Sequence, residues 1–173
     1  MRSGIALLGF MGCGKTTVGQ RVAEITGWRF YDTDRVIEER VGLSIPEIFS
    51  RYGEEYFREL ETEVLEELVK ERNLVLATGG GLPLRERNRA ILWEHFLTVF
   101  LRVSFPLLFE RIRGSSHRPL LRKYATFEEL EALYLARLPY YEKAHVIIDA
   151  DFLTEEEVAR EIIRRARDCG VLT

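Results

Sequence analysis

The sequence predicts an α/β protein whose sheet is mainly parallel. Five short apolar segments with strand character alternate with helical segments along the 173 residues. That alternation is typical of right-handed βαβ units, in which helices cover both faces of a parallel sheet. A glycine-rich loop also lies between the first strand and the first helix, which is the context that a phosphate-binding loop requires. Because no linker, repeat or low-complexity segment interrupts this pattern, we expect one domain over residues 1–173.

The predicted strands are apolar segments that end near glycine, proline or acidic residues. They span 4–8, 28–31, 74–78, 96–103 and 146–148. The first, third and fourth are nearly continuous apolar runs, as expected of strands that are buried on both faces of a sheet. The second is aromatic and ends at the acidic segment 32–34.

The predicted helices follow from apolar periodicity and from capping signals. Ser44, Thr126 and Thr154 each begin a capping pattern, Gly53 separates two helices, and Pro139 is expected to interrupt a third. The expected spans are 17–26, about 34–41, about 45–49, 54–72, 84–94, 106–113, 126–138 and the segment that follows 154.

Residues 9–16 read GFMGCGKT and match the phosphate-binding pattern GxxxxGK[ST]. Glycines allow successive backbone N–H groups to turn toward a phosphate chain with no side chain in between. Lys15 adds a positive charge at the outer phosphates, and the Thr16 hydroxyl is a potential Mg²⁺ ligand. The helix that begins at the lysine directs its positive end toward the anion. The loop therefore predicts a nucleotide site.

Two further segments should meet this loop at one edge of the sheet, because all three follow predicted parallel strands. Asp32 and Asp34 can share a face of an extended segment, so that one holds Mg²⁺ through water and the other binds an acceptor hydroxyl. The alternative is a helix N-terminus that carries acids and binds no ligand. The triplet 79–81 is all glycine, which permits close approach of a ligand or simply forms a turn.

Three arginines are candidate anion-binding residues, and each has a structural alternative. Arg58 lies on the inner half of a helix, but it follows Glu54 by four residues, which is the spacing of a surface ion pair. Arg118 belongs to a polar loop, 114–119, where a solvated arginine is equally expected. Arg137 is predicted at the end of a helix, where a cation interacts favourably with the helix dipole.

Composition argues against several classes of partner. The net charge of −3 gives no indication of a nucleic-acid surface. The apolar runs are too short for a transmembrane helix or a signal peptide, so no membrane partner is expected. Cys13 and Cys169 offer neither a metal-binding spacing nor a disulfide framework, which fits a reducing cytoplasm.

Several blocks, taken together, resemble the shikimate kinase family. They are the phosphate loop extended to residue 19, FYDTD at 30–34, IF at 48–49, GEEYFR at 53–58, ATGGG at 77–81, RPLL at 118–121 and RLPYY at 137–141. The combination is far more specific than the loop alone. The resemblance implies a three-layer P-loop kinase fold with five parallel strands and a mobile lid at about 111–125. It also implies a cytoplasmic monomer that uses Mg²⁺ and transfers the γ-phosphoryl group of ATP to the 3-hydroxyl of shikimate.

The resemblance also implies roles for individual residues. Lys15, Asp34 and Arg118 would be catalytic: Asp34 would hold the ring hydroxyls and orient or deprotonate the attacking one, and Arg118 would reach the ATP phosphates from the lid. Thr16 would coordinate Mg²⁺, with Asp32 in the outer shell through water. The other nucleotide contacts would be Gly12, Cys13, Gly14 and Thr17. The other acceptor contacts would be Phe49, Phe57, Arg58, Gly79, Gly80, Gly81 and Arg137. The first three belong to a predicted acceptor segment of about 32–61.

Adenine contacts and two other functions stay open at this point. The segment 149–152 lacks an arginine that some shikimate kinases place against adenine, which leaves Arg111 or Arg113 for that role. A gluconate kinase would share the phosphate loop and a carboxylate-bearing acceptor, although the GEEYFR and GGG blocks argue against it. A nucleotide-hydrolysing regulatory module is a third function, but the N-K-x-D element of GTP-specific switches is absent from the sequence.

Overall fold

The computed structural model describes residues 2–114 and 126–173. The strands are β1 (Gly4–Leu8), β2 (Arg29–Asp32), β3 (Leu74–Ala77), β4 (Phe96–Arg102) and β5 (Val146–Asp149). The helices in these two ranges are α1 (Lys15–Thr26), α2 (Thr33–Val41), α3 (Ile45–Tyr52), α4 (Glu54–Leu68), α5 (Glu86–His95), α6 (Phe105–Arg113), α7 (Phe127–Tyr141) and α8 (Glu155–Asp168). A short 3₁₀ turn, Leu82–Leu84, precedes α5.

All five strands form one parallel sheet in the order β2-β3-β1-β4-β5, which confirms the predicted α/β class. From β1 the chain crosses to the β2 edge, returns through β3 and then passes to β4 and β5 on the other side. The direction therefore reverses beside β1, and ligands of such folds bind in the crevice at the carboxyl ends of the strands there. The phosphate loop and Gly79 follow strand ends at this edge, and Asp32 is the last residue of β2.

The packing of α1 against the sheet fixes the position of the phosphate loop. Strands β1 and β3 are buried along their whole length. A Cβ atom on Gly19 of α1 would lie 2.5 Å from the Phe30 ring of β2, so the absence of a side chain allows close approach of the helix. Two groups of helices cover the sheet, because α1 packs against α8 whereas α4 packs against α2, α3 and α5.

The capping predictions are confirmed. Ser44 and Thr154 form capping boxes, and the Thr126 side chain accepts a hydrogen bond from a backbone N–H one turn later. Helix α4 ends four residues earlier than predicted, because the chain turns into β3 through Asn73, whose φ is 57°. The predicted helix 84–94 begins at Glu86 instead, after the separate 3₁₀ turn Leu82–Leu84.

The predicted interruption at Pro139 is wrong. Helix α7 continues through Pro139 to Tyr141, and Glu142 N–H still donates to the carbonyl of Leu138. The missing proline N–H removes one helical hydrogen bond. Tertiary contacts of Tyr141, which is completely buried, outweigh that loss.

The predicted lid lies mostly outside the described residues. Residues 111–113 of the predicted lid end α6, Gly114 follows, and the rest of the lid, Arg118 included, belongs to the part of the chain that the structure does not describe. None of the helices within 2–114 and 126–173 combines the length and apolar character needed to cross a bilayer.

Candidate active site

The phosphate loop joins β1 to α1 and has the backbone geometry that anion binding requires. Gly12 and Gly14 adopt left-handed φ angles of 84° and 97°, which side chains other than glycine rarely tolerate. Gly14 is also the N-cap of α1, and no side chain caps that end of the helix. The first N–H groups of α1 are therefore available to an anion.

Lys15 lies half-buried inside the loop. Its Nζ donates hydrogen bonds to the carbonyl oxygens of Gly9 at 2.6 Å and Phe10 at 3.2 Å. The Cys13 side chain is buried, and its Sγ lies 3.7 Å from the same Nζ. A Cβ atom on Gly9 would lie 2.6 Å from that sulfur, so Cys13 packs within the loop as a small space-filling residue.

Thr16 and Asp32 form a pair of oxygen donors beside the loop. The Thr16 hydroxyl donates to Asp32 Oδ2 at 2.9 Å. The other carboxylate oxygen of Asp32 accepts from the N–H groups of Asp34 at 3.0 Å and Arg35 at 3.4 Å, so Asp32 is also the N-cap of α2. Asp32 is therefore both the cap of α2 and the hydrogen-bond partner of Thr16, and its contact with a metal stays a prediction.

These two oxygen donors fit a Mg²⁺ ion that is bound jointly by protein and phosphates better than they fit a metal that protein side chains alone would hold. Within the described ranges, no group of three or more His, Cys, Asp or Glu side chains could hold a metal ion. Mg²⁺ takes oxygen ligands and is commonly bound by one or two protein groups, with water and substrate phosphates completing the shell. A hydroxyl and a carboxylate beside a phosphate loop match that pattern.

Asp34, in the first turn of α2, is partly buried and faces the glycine triplet with a buried Oδ1 atom. Its Oδ1 lies 2.6 Å from the position that a Cβ atom on Gly79 would take, so only glycine fits there. This oxygen has no hydrogen-bond partner among the described residues. The Gly79 N–H donates to the Thr33 hydroxyl at 2.9 Å, which fixes the triplet against α2. An unpartnered buried oxygen in a cleft is the group that a ligand hydroxyl would satisfy.

The pKa of Asp34 is raised to about 7, chiefly by burial and also by the negative charges of Glu61 and Asp32. The positive charges of Lys15 and Arg58 act in the opposite direction. A carboxyl group with a pKa near neutrality exchanges protons readily at physiological pH, which suits a general base.

Arg58 forms the predicted surface ion pair and a second, buried contact. One of its nitrogens donates to Glu54 Oε1 at 3.3 Å, as the spacing predicted, but the other donates to Glu61 Oε1 at 2.7 Å. The Arg58 guanidinium also lies 2.5 Å from the Cβ position of Gly81, so it packs against the glycine triplet. Its side chain is only 18% exposed. The structure thus places Arg58 at the site.

Glu61 is a site residue that sequence reasoning missed. Its side chain is 1% exposed, and its Oε2 has no partner among the described residues and lies 3.0 Å from the Cβ position of Gly79. Burial raises the pKa of Glu61, while the positive charges of Arg58 and Arg137 lower it. The available signal was periodicity, because residue 61 shares the apolar face of α4 with Phe57 and Val64.

Arg137 is buried rather than exposed at a helix terminus. It lies one turn before the end of α7, and its side chain is 5% exposed. Its Nη1 lies 2.9 Å from the Cβ position of Gly80, and its Cζ lies 5.8 Å from the centre of the Phe10 ring. Two arginines therefore lie against consecutive glycines of one triplet.

Phe49 and Phe57 pack together, with ring centroids 5.0 Å apart in an edge-to-face arrangement. The Arg58 guanidinium lies over the Phe57 ring at 5.3 Å from its centre. The two aromatic rings and the arginine thus form one cluster where α3 meets α4. Contact of these rings with an acceptor stays a prediction.

A cleft of about 330 Å³ opens at this edge of the sheet. It is lined by the phosphate loop and first turn of α1, by Asp32 and Asp34, and by residues 77–80. Arg111 also lines it and donates to the carbonyl of Gly12 at 3.0 Å. Arg113 instead pairs with Glu110 on the exposed surface of α6. The cleft therefore brings together the three predicted segments, and it favours Arg111 over Arg113 as a nucleotide contact.

A phosphate loop after the first strand of this sheet defines a P-loop nucleotide-binding protein. Beside this loop, Asp34 and the two arginines at the glycine triplet offer groups that could bind a small acceptor of the phosphoryl group. A family model described as "Shikimate kinase" matches residues 11–167, and the chain belongs to the shikimate kinase family. It is a phosphotransferase of the shikimate pathway, which leads to aromatic amino acids, and it phosphorylates shikimate with ATP.

Individual relatives support this assignment over nearly the whole chain. A shikimate kinase from Thermodesulfovibrio yellowstonii is 44% identical, with 92% of each chain covered. One from Geobacter sulfurreducens is 45% identical, covering 95% of this chain and 91% of the relative. The solved structure of an Acinetobacter baumannii shikimate kinase in complex with shikimate has a TM-score of 0.92 at 37% identity, covering 98% of this chain and 95% of that one.

The gluconate alternative receives support for the fold alone. A solved gluconokinase from Sinorhizobium meliloti has a TM-score of 0.62 but only 21% identity, with 98% of each chain covered. Such a likeness shows a shared architecture, and it carries no inference about the acceptor.

Proposed function

We propose that this site has a donor half that binds ATP and an acceptor half that binds shikimate, with Asp34 between them. The group that is phosphorylated is the 3-hydroxyl of shikimate. The observation that carries this proposal is the buried Asp34 Oδ1, which has no partner among the described residues and lies in the cleft shared by the phosphate loop and the glycine triplet. A hydroxyl seated there lies beside the phosphate site, which is the arrangement that in-line transfer needs.

In the donor half, the N–H groups of residues 12–17 bind the ATP phosphates, and Lys15 moves its Nζ from the loop carbonyls to the outer phosphates. Thr16 is the direct Mg²⁺ ligand and Asp32 binds the ion through water, as their 2.9 Å contact supports. Mg²⁺ would supply charge neutralisation of the phosphates when bound. Arg118, together with a lid over about 111–125, closes over the phosphates and excludes water.

In the acceptor half, Arg58 and Arg137 bind the carboxylate of shikimate, with the backbone of residues 79–81 alongside. Guanidinium groups form charge-assisted, two-pronged hydrogen bonds with carboxylates, which suits the acid end of this substrate. Asp34 accepts hydrogen bonds from the ring hydroxyls and takes the proton of the attacking one. Phe49 and Phe57, in the acceptor segment of about 32–61, flank the apolar side of the ring.

The nucleotide and the assembly complete the proposal. Arg111 contacts the nucleotide from α6, because it already lines the cleft and is bonded to the loop carbonyl of Gly12. The chain acts as a single domain and as a monomer in the cytoplasm, with shikimate and ATP as its small-molecule partners and no nucleic acid or membrane partner.

A panel of acceptors tests the proposal directly. ADP release from Mg²⁺-ATP should be rapid only when shikimate is added, and it should stay near the background rate with gluconate or with no acceptor. Mass spectrometry and NMR of the product should place the phosphate on the 3-hydroxyl. Equal release with gluconate, or none above background with shikimate, would reject the assignment.

Replacing Arg58 with alanine should weaken shikimate binding by about 1.5–3 kcal/mol, the value of a lost charge-assisted contact. The Michaelis constant for ATP should stay within about twofold, because Arg58 lies on the acceptor side of the glycine triplet. Calorimetric titration with shikimate and steady-state kinetics measure both quantities.

The Arg58→Ala variant also leaves the buried Glu61 carboxylate without its 2.7 Å partner, so its unfolding temperature must be measured beside its affinity. Arg40→Ala is a matched control, because Arg40 forms an ion pair with Glu67 on the exposed side of the same helical layer. An unchanged shikimate affinity in Arg58→Ala would show that Arg58 only stabilises the helix.

A further inference from the structure

Tyr141 forms a hydrogen bond with the acceptor site that the proposed roles leave unexplained. Its side chain is completely buried, its ring lies 5.2 Å from the ring of Phe100, and its hydroxyl donates to the Gly80 carbonyl at 2.6 Å. Burial raises the pKa of the Tyr141 phenol above its usual range, so the group stays protonated and remains a donor at all physiological pH values. The Gly80 carbonyl is therefore held in one direction.

A fixed carbonyl also fixes the N–H of the next residue, because the C=O and N–H of a trans peptide are coplanar and point in opposite directions. The N–H that faces away from Tyr141 is that of Gly81. No hydrogen bond from the Gly80 or Gly81 N–H to another described residue is present. Gly81 is buried, and a buried N–H without a partner is costly, which favours a ligand acceptor at that position.

Two guanidinium groups lie close to the two glycines that share this peptide. Arg137 Nη1 is 2.9 Å from the Cβ position of Gly80, and Arg58 Nη1 is 2.5 Å from that of Gly81. The peptide N–H and the two cations therefore belong to one anion-binding arrangement. Tyr141 is the side chain that sets the orientation of the peptide within it.

We propose that Tyr141 is a positioning residue for the acceptor, whose hydroxyl holds the Gly80–Gly81 peptide so that the Gly81 N–H donates to the substrate carboxylate that Arg58 and Arg137 also bind. The inference rests on the proposed function, in which that carboxylate binds here, and it adds the residue that orients the backbone donor. It also accounts for the continuation of α7 through Pro139. Only a helix that extends to residue 141 presents Arg137 and Tyr141, four residues apart, on the same face.

The test compares a charged ligand with a neutral one. In Tyr141→Phe, the dissociation constant for shikimate should rise about tenfold, the effect of one lost hydrogen bond to a charged group. The dissociation constant for shikimate methyl ester, which lacks the anionic carboxylate, should change by less than about twofold, and so should that for Mg²⁺-ATP. Calorimetric titration gives all three values.

Tyr134→Phe is the matched control. Tyr134 lies two turns earlier on the same helix, is also buried, and donates its hydroxyl to the Val103 carbonyl at 3.3 Å, away from the glycine triplet. The Tyr134→Phe substitution should leave the ratio of the dissociation constants for shikimate and its methyl ester unchanged. Equal weakening of acid and ester in Tyr141→Phe would show general loosening of the pocket and overturn the inference, as would no weakening of the acid.

A measurement on the wild-type protein keeps the inference testable if Tyr141→Phe does not fold. The Gly81 amide proton resonance should shift downfield when shikimate is added and should shift much less with the methyl ester. A Gly81 resonance that responds equally to both ligands would overturn the inference while leaving the proposed function intact. A wild-type protein that binds no shikimate would instead overturn the proposed function itself, and the inference with it.

Discussion

Replacing Lys15 with alanine should lower kcat by about 1,000-fold, at the upper end of the effect of removing one donor to a developing negative charge. Phosphoryl transfer depends almost entirely on positioning and on electrostatic stabilisation, and Lys15 is the cation inside the phosphate loop. Release of ADP in the presence of saturating shikimate, measured over hours, sets the residual rate. Affinity for shikimate should change by less than about threefold, because the acceptor half of the site contains none of the contacts of Lys15.

The internal hydrogen bonds of Lys15 make the choice of variant important. Its Nζ is bonded to the carbonyls of Gly9 and Phe10, so alanine removes contacts of the loop itself as well as the charge. Lys15→Met keeps the apolar stem and should show the same loss of kcat with a smaller change in unfolding temperature. Lys70→Ala, an exposed lysine after α4, serves as the control and should keep full activity. Turnover close to that of the wild type in Lys15→Met would contradict the role of Lys15 in the donor half.

The donor half and the sheet could be predicted from sequence because their signals are local. Continuous apolar runs such as 4–8 predict strands that are buried on both faces, and the structure buries all of β1. The spacing of glycines, lysine and threonine over 9–16 determines loop geometry within a single turn of chain. The convergence of three segments on one edge followed from the rule that parallel strands place their carboxyl ends together.

The acceptor half depends on tertiary contacts that no local pattern encodes. For Arg58, the sequence supported a surface pair with Glu54, whereas the guanidinium also packs on the glycine triplet and on Glu61. Glu61 is an acid on an apolar helical face, and its burial is made tolerable by the hydrogen bond from Arg58 and by the positive charges of Arg58 and Arg137. That compensation becomes visible only when α4 is placed against the triplet.

Tyr141 shows how a correct local rule fails in a tertiary context. Proline disfavours a helix interior, so the sequence predicted an interruption at residue 139. The helix nevertheless reaches Tyr141, whose burial and bond to Gly80 depend on residues 61 positions apart in the chain. Such failures of local reasoning are expected at functional sites, where the geometry of the site overrides local conformational preference.

The role of Arg118 stays a prediction.

Replacing Asp34 with asparagine should lower kcat by about 1,000-fold, within the range for loss of a general base. The substitution keeps the size of the side chain but removes its ability to take the proton of the attacking hydroxyl. In the wild-type enzyme, kcat/KM for shikimate should fall about tenfold per pH unit as the pH decreases below about 7, because burial holds the pKa of Asp34 near that value and protonated Asp34 is not a base. The acid limb of the profile should be absent in Asp34→Asn.

The stability of Asp34→Asn separates lost chemistry from lost folding. The pKa of Asp34 is raised in the folded protein, from 3.8 to about 7, so the folded state binds this proton more tightly than the unfolded chain does. Its contribution to stability is therefore full below about pH 4 and decreases as the pH rises to about 7. Above pH 7 the wild type carries the cost of a buried negative charge, augmented by Glu61, that asparagine does not carry. The variant should thus unfold at an equal or higher temperature than the wild type at pH 8 while being nearly inactive there. A lower unfolding temperature accompanied by an unchanged pH profile would show that Asp34 stabilises α2 and takes no proton from the acceptor.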